Sequence, residues 1–146
     1  MDDTTLLALI NSVSFFNDFS LDEKKTIVKL RFDVVRFSPS DLIIKEGEFE
    51  ETFYILLKGD AQVIKAQKVI TILKPGALFG ELSWLGKKAR ISSVVAATEV
   101  VAFRLDLKKV QKFEPIIRDK IKDKIIVNLI SRLENMNKQL TNQNRT

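Results

Sequence analysis

Apolar positions follow two different periods along this chain. Near the start Leu6, Leu7, Leu9 and Ile10 form a short helical patch, and the pair Phe15 and Phe16 follows. Ser20 and Glu23 make a capping box, in which each side chain satisfies a free backbone N–H, and Leu21, Ile27, Val28 and Leu30 continue at helical spacing. From Phe32 to Leu105 the pattern changes to short runs rich in Val, Ile, Phe and Thr. The runs are Val34 to Phe37, Leu42 to Lys45, Thr52 to Leu57, Ala61 to Lys65, Val69 to Leu73, Ile91 to Ala97 and Val100 to Leu105. Ser38-Pro39-Ser40, Glu46-Gly47-Glu48, Lys58-Gly59-Asp60 and Lys74-Pro75-Gly76 separate them with the backbone angles a turn demands. Many short strands at near-even spacing predict a sandwich or small barrel of jelly-roll character.

Helix returns after Leu105. Asp106 is placed to cap a short helix through Lys112, and Pro115 suits the first turn of a longer one, where its missing N–H costs nothing. In that helix Ile126, Leu129, Leu133, Met136 and Leu140 recur at spacings of three and four. Such a stripe needs cover, from the β-core or from the same helix of a second copy. The polar tail from Thr141 is expected to fray.

A chain of 146 residues, 45% hydrophobic and 29% charged, is enough for one domain with one core. No apolar run approaches the roughly 18 residues of a membrane span, and the first residues are acidic where a signal peptide is basic, so the expected setting is cytoplasmic. With no cysteine and no histidine, disulfides, thiolate clusters and a cysteine nucleophile are excluded, and the commonest metal ligand and general base are missing. The expectation is a protein that is not an enzyme, with no catalytic residue, no metal and no cofactor. The formal charge of +5 is concentrated from Lys108 onward, where ten Lys/Arg face four Asp/Glu. A solvated helical face accounts for that excess, and a nucleic-acid partner would rest on charge alone.

One stretch departs from strand-and-turn grammar. Between Pro75 and Val94 a strand ends at Pro75-Gly76, a brief helical turn opens at Gly80-Glu81, and a loop delivers Arg90 to the next strand. N–H groups at a helix start attract an anion, Gly80 allows close approach because it has no Cβ, and Arg90 adds a forked, charge-assisted pair of hydrogen bonds. A carboxylate at position 81 would repel a phosphate in contact with it, so Glu81 is assigned a neighbouring hydroxyl, for which a ribose 2′-OH fits. A P-loop is excluded, because five residues rather than four separate Gly80 from Gly86 and Lys88 stands where the metal-binding hydroxyl belongs. There is no G-x-G-x-x-G either.

Phe79-Gly80-Glu81 and Arg90-Ile91-Ser92-Ser93 resemble the phosphate-binding cassette of the cyclic nucleotide-binding domains shared by the catabolite activator protein, protein kinase A regulatory subunits and cyclic-nucleotide-gated channels. Ile44-Lys45-Glu46-Gly47-Glu48 and Tyr54 to Gly59 look like that family's glycine-marked strands, so the resemblance covers nearly the whole chain. It implies an eight-stranded jelly-roll barrel, a double-stranded β-helix, that is mainly β with flanking helices. One domain over residues 1–146 then divides into N-terminal helices (1–31), the β-roll (32–105) with its cassette (76–93), and C-terminal helices (106–146) that end in a lid or dimer helix.

It also implies that Arg90 binds the exocyclic phosphate oxygens. Glu81 and the Gly80 backbone hold the ribose, and Ser92 or the Ile91 N–H completes the phosphate contacts. Phe79 and Leu82 flank the motif, while Asn128 and Arg132 reach back from the last helix toward the purine. Two departures stand out: Ala89 replaces the usual proline and Ile91 a small residue or threonine. Isoleucine there argues for adenine and raises a narrowed pocket, and Trp84 stands where the family prefers small aliphatics.

The expected function is a sensor for cAMP, with cGMP or a cyclic dinucleotide as the other ligands considered. Its output passes to a protein effector of unknown identity or through a homodimer made by the C-terminal helix, with no DNA-binding domain and no membrane part. The alternative is a degenerate member that works as a ligand-free dimeric interaction module. A cupin-like enzyme lacks the means to hold its metal.

Overall fold

The computed structural model describes residues 1–30, 33–80 and 89–144. Helix α1 (Asp3–Ser12) is capped by Asp2, whose side chain accepts from the Thr5 N–H at 2.7 Å. A 3-10 turn (Ser14–Phe16) leads to α2 (Leu21–Leu30). The capping box is formed as read: Ser20 N–H donates to Glu23 Oε1 at 2.7 Å and Glu23 N–H to Ser20 Oγ at 3.1 Å. The strands are β1 (Asp33–Phe37), β2 (Leu42–Ile44), β3 (Thr52–Lys58), β4 (Ala61–Lys65), β5 (Lys68–Leu73), β6 (Leu78–Phe79), β7 (Ser93–Ala96) and β8 (Val100–Asp106). Helices α3 (Leu107–Gln111) and α4 (Pro115–Asn144) end the chain. Asp106 caps α3, accepting from the Lys109 N–H at 2.9 Å.

The molecule is mainly β, with antiparallel sheets and flanking helices. Among the described residues the strands form two four-stranded sheets, ordered β1-β8-β3-β6 and β2-β7-β4-β5. A single closed barrel was expected. Instead the two sheets lie against one apolar layer without joining edge to edge among the described residues.

Strand β3 explains the arrangement. Its apolar run is buried on both faces, as a central strand covered on both sides must be. Phe53, Ile55 and Leu57 face the helices with Val101, Phe103 and Leu105 of β8, while Tyr54 and Leu56 face the second sheet with Val100 and Ala102. The helical side is an aromatic cluster in which Phe16 meets Phe15 at 4.9 Å, Phe19 at 5.3 Å and Phe103 at 6.1 Å between ring centroids.

Helix α4 meets the core through a stripe other than the one read from the sequence, whose cover by a second copy remains the other alternative. The stripe that enters the core is Ile117, Ile121 and Ile125, with Leu129 partly buried beyond them. Ile126, Leu133, Met136 and Leu140, the other members of the stripe read from the sequence, are exposed. Nor does the tail fray at Thr141, since the helix runs to Asn144.

Ion pairs tie α4 to the N-terminal helices. Lys120 Nζ donates to Glu23 Oε1 at 2.6 Å and to Asp18 O at 2.8 Å, and Lys124 meets Asp18 at 2.7 Å. The Lys120 hydrogen bond, with the Ser20 N–H second, holds the Glu23 carboxyl below its ordinary value of 4.5, and Lys124 lowers Asp18. A carboxylate whose pKa is depressed in the folded state stabilises it above the unfolded-state pKa, and that contribution is lost as pH falls through the folded value. Stability should therefore decline from about pH 4.5 downward. Urea denaturation across that range should give a shallower slope for Glu23→Gln than for the wild type, and identical slopes would exclude this pair as a source of acid sensitivity.

Candidate functional site

Four strand ends converge on Arg90. Its backbone is pinned to the turn after β2: Arg90 N–H donates to Glu48 O at 2.9 Å, and Gly47 N–H donates to Arg90 O at 2.9 Å. Gly47 takes φ +85, the left-handed region that a glycine enters without strain. The neighbouring Glu46 N–H donates to Ser93 Oγ at 2.9 Å, which joins the start of β7 to the same turn.

The Arg90 side chain runs inward and the residue is only 5% exposed. Nη1 donates to Gly80 O at 2.7 Å, and Nη2 donates to Thr52 O at 2.7 Å and Thr52 Oγ1 at 3.1 Å. Glu50 Oε2 lies 3.7 Å from Nη2. The carbonyls orient the fork without neutralising its charge, and Glu50, half exposed, adds an opposite charge from the rim. Gly80 is required here on two counts. Its φ is +83, and a Cβ would sit 2.8 Å from Arg90 Nη1 and 3.2 Å from Ile44 Cδ1.

Beside this cradle Tyr54 stacks on Phe79 with centroids 5.1 Å apart. Both are buried between the sheets, and burial pushes the Tyr54 hydroxyl above its ordinary value. Phe79 is thus a core residue whose ring packs on Tyr54. Ser92 is half-buried, and Ile91 is 58% exposed. On α4, Arg132 Nη2 donates to Leu78 O at 3.4 Å, two residues before Gly80, and Asn128 is half-buried one turn earlier. Glu81 and Leu82 of the expected site, with Trp84, lie outside the described residues.

Of the expected residues the structure brings together Gly80 and Arg90 directly, and Arg132 through the backbone of β6. Sequence reasoning missed Thr52, Glu50 and Ile44. Thr52 is 38 positions from Arg90, and no local pattern signals such a pairing. The acidic run Glu48 to Glu51 after a glycine turn was the one available hint. Among the described residues no helix is long and apolar enough to cross a membrane.

A family model described as the cyclic nucleotide-binding domain matches residues 34–114, more than half of the chain. A cAMP-dependent protein kinase regulatory subunit from Pyricularia oryzae is 37% identical over 89 residues, 57% of this chain and 23% of that protein. The chain spans less than a quarter of the length of the curated relatives it matches first. A solved structure of PKAR CBD2 bound to Sp-2Cl-cAMPS superposes with a TM-score of 0.76 at 26% identity, covering 94% of this chain and 90% of the other. The regulatory subunit of a cAMP-independent protein kinase A from Trypanosoma brucei gives a TM-score of 0.61 at 29% identity over 70% of this chain and 39% of the other. The matched span contains Arg90, Gly80 and every strand from β2 to β8, and on this ground the chain belongs to the cyclic nucleotide-binding domain family.

Proposed function

We propose that this chain is a cyclic nucleotide sensor whose ligand is cAMP and that it acts by binding rather than by catalysis. One observation carries the reading: a buried guanidinium whose fork is oriented by the carbonyls of Gly80 and Thr52, beside a glycine held at positive φ. In the proposed complex Arg90 bonds the exocyclic phosphate oxygens, with Ser92 or the Ile91 N–H beside it, while the Gly80 backbone and Glu81 take the ribose. Such a preoriented, buried cation suits a singly charged phosphodiester, because the ordering of its fork is already accomplished before binding. Likeness to the nucleotide-bound PKAR CBD2 supports the ligand class. The C-terminal half of α4 is proposed as the lid, with Asn128 and Arg132 turning toward the purine, and the exposed Ile126, Leu133, Met136 and Leu140 are proposed to pair with a second copy.

A second reading is favoured by the likeness to a cAMP-independent regulatory subunit and by Ala89 and Ile91 in the cassette. It is a degenerate member that works as a dimeric interaction module without nucleotide. Thermal denaturation separates the two, since a bound nucleotide at a hundredfold excess over Kd stabilises by about 2.7 kcal/mol and the second reading requires no shift.

Calorimetry with cAMP should show Arg90→Ala weakened by about thirtyfold or more, on the order of 2–5 kcal/mol, and equal affinities would end the site assignment. Gly80→Ala should also lose most binding, because its Cβ meets the guanidinium. Gly47→Ala is the control: its φ is equally positive but nothing lies within 4 Å of the added Cβ. It should cost about 1 kcal/mol of stability and weaken cAMP binding less than Gly80→Ala does, because this turn reaches Arg90 only through its backbone hydrogen bonds. Sedimentation should give a dimer for the wild type and a monomer for Leu133→Glu, and a monomeric wild type at all concentrations would remove the α4 pairing.

A further inference from the structure

The β4–β5 hairpin has properties that nucleotide binding does not use. Residues 61–80 contain Lys65, Lys68 and Lys74 and no acidic residue. Asp60 answers Lys74 at 2.9 Å, so the surplus positive charge stands at the exposed hairpin tip on Lys65 and Lys68. Strand β5 ends its sheet, and among the described residues no strand pairs with its outer edge. Val69, Ile70 and Ile72 are 51%, 57% and 51% exposed, and Thr71 between them is exposed as well, so both faces of this strand reach solvent until Leu73 packs on the inter-sheet core.

Edge strands bare of cover invite another strand, and proteins usually blunt them with a charge or a proline in the middle. Here the lysines stand outside the segment, and five consecutive uncharged residues, Val69 to Leu73, are left uninterrupted. The inner edge is paired with β4 from Ala61↔Leu73 to Val63↔Thr71 and again at Ile64↔Val69 and Lys65↔Lys68, with a bulge at Ile70 between the two stretches, so β5 is held extended on either side of that bulge. An added strand would satisfy the outward N–H and C=O groups and cover the β-branched side chains. A lipid surface would cover the side chains but leave those backbone groups unpaired, at several kcal/mol each. The two lysines select the partner's charge.

We propose that the free edge of β5 is a docking site for an extended, acidic segment of a partner protein, added as a further strand of this sheet. The probe is a fluorescently labelled peptide of alternating valine and glutamate, closed by proline at both ends against self-assembly. Anisotropy should show saturable binding, and hydrogen exchange should show new protection at Val69 to Leu73. Lys65→Glu with Lys68→Glu should weaken binding by about tenfold or more and favour a valine–lysine peptide instead. Ile70→Glu, at an exposed position, should weaken it independently. Equal affinity across these variants, or binding without protection in β5, would overturn the proposal. So would retention on phosphatidylserine vesicles without binding of the peptide.

Discussion

A guanidinium as buried as that of Arg90 stays in a protein only where its hydrogen bonds are supplied, because desolvation without them costs several kcal/mol. That requirement organises this end of the molecule. Gly80 and Thr52 supply carbonyls from two different strands, the turn at Gly47 and Glu48 pins the Arg90 backbone, and Ile44 backs the Gly80 position. Each of these is a strand end or the turn beside one. The site is therefore a property of how β2, β3, β6 and the segment before β7 finish together, and a change in any of the four reaches the fork.

What keeps those ends together is the sharing of β3 between two apolar layers. Alternate side chains of one strand serve the helical core and the inter-sheet core, so neither layer can shift without the other. Thr52 opens that strand. The residue that orients Arg90 is thus attached to the least movable element of the fold, and the preoriented geometry follows from packing rather than from the cassette alone.

Features set within a few residues were legible in the sequence. The Ser20–Glu23 box and the Asp106 cap formed as read, because each depends on a side chain reaching its own backbone three residues away. That Gly80 and Arg90 come together was legible from residue types. The Thr52 and Glu50 contacts were not, since they depend on which strands end side by side. The same reason left the inward stripe of α4 unread. Its sequence offers two apolar stripes, Ile117-Ile121-Ile125 and Ile126-Leu133-Leu140, with the same helical periodicity. Periodicity finds both, and what tells them apart is made across the fold: the packing of Ile117, Ile121 and Ile125 in the helical core, with the Lys120–Glu23 pair, formed across 97 residues, and the Lys124–Asp18 pair beside it.

That choice divides α4 into unequal halves. As far as Ile125 the helix is held by buried isoleucines and by ion pairs to the N-terminal helices, whereas beyond it Leu129 packs on the core only in part and Arg132 reaches Leu78 O. A helix anchored at one end and lightly held at the other moves by swinging its free end. Leu78 lies two residues before the carbonyl that orients Arg90, so such a swing pulls on the strand that shapes the cradle. In the proposed complex such a coupling is reciprocal by thermodynamic necessity: a ligand that fills the cradle and stiffens β6 would also bias the position of the helix, and a partner that grips the exposed half of α4 would alter the affinity of the cradle.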